Sequence, residues 1–112
     1  GLPAQMAAVE ALQDHDFVAR SRRVNAAGTE LLMEELTRRG FTVYPTQANF
    51  ICIHVRENAA EVAERIADGG VTVRPLNSFG MYEWIRVTIG REEENRLFLQ
   101  ALASACRAPV EP

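Results

Sequence analysis

Residues 71–90 read VTVRPLNSFGMYEWIRVTIG. Over 71–76, Val71, Val73 and Pro75 share one side of the chain, and Thr72 and Arg74 share the other. Over 84–89, Ile85, Val87 and Ile89 share a side, with Arg86 and Thr88 opposite. Alternation with period two marks a half-buried strand. The segment between the two runs, residues 77–83 (NSFGMYE), is short enough to close an antiparallel hairpin. With Leu76 facing Trp84, position 74 falls opposite position 86. Two guanidinium groups then stand side by side on the face turned away from the core.

Like charges directly opposite on a sheet destabilise it. An arrangement that accepts this penalty holds an anion between the charges, and two planar forks of fixed donors suit phosphate or carboxylate better than lysines would. The pattern leaves a second reading open. Each arginine caps its strand end and pairs with a surface glutamate, and a one-residue slip in register separates the two. Phe79, Gly80, Met81 and Tyr82 between the strands either line a substrate beside such a site or fold back on the core.

Working outward, Phe41–Tyr44 (FTVY) alternates as a short strand closed by Pro45, and Asn49–Val55 (NFICIHV) is β-branched and aromatic enough for a stronger one. Upstream, residues 4–13 (AQMAAVEALQ) read as a helix after Pro3. Asp14 or Asp16 caps a longer helix to about Arg39, with Phe17, Val24, Gly28, Leu31, Leu32 and Leu36 as its apolar stripe. Arg38 and Arg39 suit its negative end, and Gly40 stops it. A glycine inside a helix costs about 1 kcal/mol against alanine, so Gly28 predicts close packing of another backbone.

Downstream of the second strand, Asn58 caps a helix with Glu61 placed for a capping box. Ala59, Val62, Ala63 and Ile66 form its inner face, and Gly69-Gly70 ends it. A last helix follows Gly90, with Glu92, Glu93 and Glu94 in its first turn and Phe98, Ala101, Leu102 and Ala105 facing the core; residues 107–112 read as a frayed tail. The order ααββαββα predicts an α+β fold, a small mixed or antiparallel sheet covered by helices, over residues 1–112 as one domain.

Composition excludes several classes. At 112 residues, 47% apolar and 24% charged, the chain is neither disordered nor fibrous. A net charge of −3 leaves no nucleic-acid footprint. No apolar run approaches a membrane span and no signal-peptide pattern opens the chain, so a cytoplasmic setting is expected. Cys52 and Cys106 read as free thiols, and His15 and His54 lack partners at metal-ligand spacing. Asp14-His15-Asp16 reads as a solvated helix start, and Arg20, Arg22 and Arg23 as a wet helix face. Thr46-Gln47-Ala48-Asn49 is a polar turn from which Asn49 can point towards a site. All basic side chains are arginine; lysine is absent.

The segments TQANFICIHV (46–55), GGVTVRPLNSFGMYEWIRVTIG (69–90) and REEENRLFLQAL (91–102) together resemble the C-terminal small domain of histidinol-phosphate aminotransferases. These belong to the class I/II, fold-type-I pyridoxal-phosphate enzymes. The matching features are an Ala-Asn-Phe strand, a Gly-Val-x-Val-Arg-Pro strand, a strand of the Leu-Arg-[IV]-[ST]-[IV]-Gly type, and a Glu-Glu-Asn helix start. The two N-terminal helices are also similar to the family's crossing into the small domain. The resemblance implies that Arg86 anchors the substrate anion, a phosphate in this branch, with help from Arg74 and with Asn49 nearby. It further implies that pyridoxal phosphate sits on a lysine of a large domain of the same protein. With no lysine, this chain is expected to hold no cofactor and no catalytic residue and to be inactive alone, and with no histidine partner at ligand spacing it is expected to hold no metal.

By the same resemblance, the whole enzyme is a homodimer of histidine biosynthesis moving an amino group between histidinol phosphate and 2-oxoglutarate. Two departures stand out: Ile85 replaces the usual leucine, and Met81-Tyr82-Glu83 occupy a loop that is commonly short and glycine-rich. An aromatic-amino-acid aminotransferase or a threonine-phosphate decarboxylase shares the scaffold. A stand-alone ferredoxin-like or ACT-type module binding a small amino acid also fits the order β-α-β-β-α from Asn49 onward.

Overall fold

The computed structural model describes residues 5–6, 26–46 and 49–106. The expected first helix lies outside these residues except for Gln5 and Met6, which are helical, and so do the predicted helix turns over 14–25 with His15 and the Arg20 group. Gln47, Ala48 and the tail 107–112 also lie outside.

The described elements run α1 (Ala26–Arg38), β1 (Thr42–Pro45), β2 (Phe50–His54), α2 (Ala59–Asp68), β3 (Arg74–Leu76), β4 (Met81–Thr88) and α3 (Glu92–Ala105), with one 3-10 turn at Asn77–Phe79. The four strands form one sheet in the order β1-β2-β4-β3, antiparallel at every pairing, so of the mixed and antiparallel alternatives the second holds.

Local chemistry sets the helix ends. Phe41 N donates to Leu36 O (3.0 Å) and Gly40 N to Thr37 O (2.9 Å), around a left-handed Gly40 at φ 94°. This is a Schellman closure, which glycine adopts without steric cost. Asn58 Oδ1 accepts from Glu61 N at 3.1 Å, capping α2 as the sequence predicts. Glu94 Oε1 accepts from Arg91 N at 2.7 Å and ties off the start of α3.

Of the described elements, α1, α2 and α3 pack on one side of the sheet. Leu32 and Leu36 of α1, Val62 and Ile66 of α2, and Phe98 and Leu102 of α3 bury against Ile51, Ile53, Ile85, Val87 and Ile89. Leu31, expected in the α1 stripe, is instead 49% exposed. One helical step turns a side chain by about 100°, and Leu32 and Leu36 take the inward line. Gly28 faces Ile89 and Asn95: a β-carbon there would sit 2.9 Å from Ile89 Cγ2 and 3.0 Å from Asn95 Nδ2. The close approach inferred from Gly28 is therefore present, made mainly by side chains.

The hairpin departs from expectation at one end. Arg74 pairs with Arg86 and Pro75 with Ile85, but Leu76 then pairs with Met81, not Trp84. The 3-10 turn and a left-handed Gly80 (φ 76°) close the chain early. Tyr82, Glu83 and Trp84 face no β3 residue; Trp84 lies opposite His54 of β2, and Val55 N, just beyond β2, donates to Glu83 O at 2.8 Å. Burial decides this, because the early closure puts both Leu76 and Met81 in one apolar cluster. The first part of the expected strand, 71–73, lies outside β3; Val71 N donates to Ile66 O at the end of α2.

Candidate functional site

The sheet face opposite the helices carries a second, smaller core of Met6, Phe50, Cys52, Leu76 and Met81, flanked by Tyr44, Phe79 and Trp84. Strand register lays one row across all four strands: Tyr44 beside Cys52, Cys52 beside Arg86, and Arg86 beside Arg74. The two arginines that the sequence places together are thus cross-strand neighbours. Arg74, on the edge strand, is exposed, while Arg86, on an inner strand, is half-buried.

Edge and inner positions give the two charges different environments. Arg86 has a buried Nη1 with no hydrogen-bond partner among the described residues. Its Cζ lies 4.8 Å from the centroid of the Phe50 ring. Desolvation, and then the Arg74 charge, press its pKa below the ordinary guanidinium value. Among the described residues no carboxylate forms an ion pair with either arginine; the described pairs engage Glu35, Glu57, Glu61, Glu83, Glu92, Glu93 and Glu94 elsewhere. Among the described residues, then, no surface glutamate neutralises either arginine. Donors that are oriented, partly desolvated and unpaired suit an incoming anion.

Asn49 is placed through its main chain, its carbonyl accepting from Ile89 N at 2.8 Å. No described side-chain hydrogen bond joins it to Arg74 or Arg86. The hairpin loop divides: Met81 is buried and Phe79 half-buried against the second core, whereas Tyr82 stays 63% exposed. Beside the arginine row, His54 stacks on Trp84 with ring centroids 4.9 Å apart, and Tyr44 leans on Trp84 at 5.7 Å. His54 Nε2 meets Glu83 Oε1 at 2.9 Å. Among the described residues no cluster of three His, Cys, Asp or Glu side chains is placed for a metal ion, and no helix is long and apolar enough to cross a membrane.

Two residues that the quoted motifs contain were given no role by the sequence reading. Asn95, 3% exposed, accepts from Gly90 N at 2.8 Å and donates from Nδ2 to Gly90 O at 3.0 Å. Its amide thereby holds α3 to the end of the strand that carries Arg86. A polar residue at a core-facing position of α3 was the available signal. The other is Phe50, whose ring contact with Arg86 needs the β2–β4 register to be seen.

The sequence profile of the aminotransferase class I and II family matches residues 2–102, and the chain belongs to that family. The match replaces the reading as a stand-alone ligand-binding module. Within the family, histidinol-phosphate aminotransferase 1 of Nitrosococcus oceani is 44% identical over 99 residues, 88% of this chain and 27% of that protein. Histidinol-phosphate aminotransferase of Methylobacillus flagellatus is also 44% identical over the same shares. An aspartate aminotransferase mutant of Thermus thermophilus complexed with tryptophan superposes with a TM-score of 0.61 at 27% identity, covering 90% of this chain and 28% of that one. The chain thus spans about a quarter of the length of these relatives (27%).

Family membership implies pyridoxal phosphate in the whole enzymes. The residues of this chain do not fit its covalent attachment, because lysine is absent throughout.

Proposed function

We propose that residues 1–112 form the substrate-anchoring small domain of a pyridoxal-phosphate-dependent histidinol-phosphate aminotransferase, with the cofactor held on a lysine of a large domain in the same protein. The observation that carries this reading is the direct pairing of Arg74 with Arg86, neither neutralised by a described carboxylate. In this reading the two forks grip the phosphate dianion of histidinol phosphate. Asn49, just before β2, is the third residue assigned to this site in the reading. The whole enzyme works as a homodimer in histidine biosynthesis, with 2-oxoglutarate as the acceptor. A reducing cytoplasm suits the free thiols of Cys52 and Cys106.

The cofactor, when bound, supplies the electron sink. This chain's share is orientation and charge. Arg86, stiffly placed on an inner strand, sets where the anion lands. Arg74, on the edge, adds a second fork and balances the second negative charge. Binding also relieves the repulsion between the two guanidinium groups, so part of the interaction is prepared before the substrate arrives.

A second reading, an aromatic-amino-acid aminotransferase, draws on the Thermus neighbour described as complexed with tryptophan, a carboxylate. A monoanionic carboxylate needs Arg86 and leaves Arg74 nearly idle. The two readings separate in the full-length enzyme. Charge-assisted hydrogen bonds contribute about 1.5–3 kcal/mol each, so Arg74→Ala should lower kcat/KM for histidinol phosphate by about 10- to 100-fold. Phenylalanine should lose far less. Arg86→Ala should damage both substrates, and Arg74→Lys should rescue little, because a point charge does not reproduce the fork. Equal losses for both substrates on removing Arg74 would overturn the phosphate reading in favour of the aromatic one.

A further inference from the structure

We infer that Phe50 is the positioning residue for Arg86, its ring face holding the guanidinium while leaving the N–H edges open to an anion; this rests on the anion-anchoring reading above. Phe50 is 4% exposed and sits in the second core with Cys52, Leu76 and Met81. It lies on β2 opposite Thr88, two positions along β4 from Arg86, which brings its ring to 4.8 Å from Cζ.

A guanidinium that is partly desolvated and repelled by a neighbouring charge needs an attractive partner to stay in place. Proteins commonly use a carboxylate. Beside Arg86 a carboxylate would occupy the same in-plane donors that the substrate needs and would cancel part of the charge. An aromatic face attracts the cation perpendicular to its plane. The in-plane donors on the exposed part of the half-buried guanidinium are then left for a ligand. Arginine also carries large rotamer freedom, and restraining it before binding reduces what the anion must order. The ring itself is restrained by β2, which is hydrogen-bonded on both sides in the sheet.

The test uses the full-length enzyme with four forms: wild type, Phe50→Leu, Arg86→Ala and the double variant. KM and kcat for histidinol phosphate are measured, together with competitive inhibition by inorganic phosphate. Phe50→Leu keeps apolar bulk and removes the π face. It should raise KM and the phosphate inhibition constant by about 3- to 30-fold, the span of a desolvated cation–π contact, with kcat within about twofold. In the Arg86→Ala background the same change should add nothing. Should Phe50→Leu be insoluble, Phe50→Met makes the same comparison.

An equal loss in both backgrounds would assign Phe50 to folding and overturn the inference, as would an unchanged phosphate constant in the single variant. If instead Arg86→Ala leaves both KM and the phosphate constant untouched, the anchoring reading itself fails. The two failures are therefore distinguishable.

Discussion

The two faces of the sheet are built by opposite rules. On the helix side, Ile51, Ile53, Ile85, Val87 and Ile89 meet aliphatic and aromatic side chains of α1, α2 and α3, and the buried polar side chain of Asn95 has both ends of its amide satisfied. On the other side a smaller core of Phe50, Cys52, Leu76 and Met81 supports two arginines, one of which keeps a buried donor without a partner. Burial with complete satisfaction stabilises; oriented donors without partners store binding capacity at some expense of stability. The strand β2 serves both faces at once. Its five residues are buried or half-buried throughout, which explains why NFICIHV reads as nearly continuous apolar sequence while β4, wet along part of one face, alternates.

Truncation on the helix side should give the largest effect on stability. Phe98 is 2% exposed at the centre of that core. Phe98→Ala in the full-length enzyme should cost about 3–5 kcal/mol, seen as a lowered denaturant midpoint for the small-domain transition. Phosphate inhibition of the molecules that remain folded should not change. A matching rise in the phosphate constant would show that the two faces are not independent.

The opposite signature is expected on the arginine face. Arg86→Met keeps a flexible apolar stem in place of a charge that is desolvated and repelled by Arg74. Relief of a functional compromise of this kind commonly gives about 0.5–2 kcal/mol, and the exposed part of the guanidinium places the gain near the lower end. A midpoint that rises while phosphate binding collapses would sharpen the comparison. A midpoint that falls would mean that Arg86 stabilises the fold.

The smallest effect concerns a thiol at the edge of the helix-side core. Burial, and then the Glu57 charge, push the Cys106 thiol up to about 11. A raised folded-state value favours the neutral thiol. Its contribution to stability is complete below the ordinary thiol range of about 8.5 and fades as pH rises from there towards 11. Alkylation of Cys106 by iodoacetamide should therefore stay slow at pH 9 and accelerate only towards 11. Reaction at an ordinary thiol rate near pH 8.5 would show that this edge of the core opens readily.

Much of the fold was determined by the sequence alone, because the deciding interactions are local. The Asn58 cap, the Gly40 closure and the acidic first turn of α3 each involve residues a few positions apart, and their side-chain chemistry acts whatever surrounds them. The pairing of Arg74 with Arg86 was one of the registers that alternation allowed, beside a one-residue slip that separates them, and the sheet selected it. Tertiary structure decided the rest. The hairpin closes early because Leu76 and Met81 enter a second core that local alternation does not announce. Leu31 turns outward because α1 has only one line against the sheet, and Leu32 and Leu36 take it. Whether a glutamate neutralised the arginines depended on where every helix surface came to lie. That Phe50 lies against Arg86 depended on β2 pairing with β4, a contact between segments distant in sequence. No local rule selects such a contact; the packing of the whole sheet does.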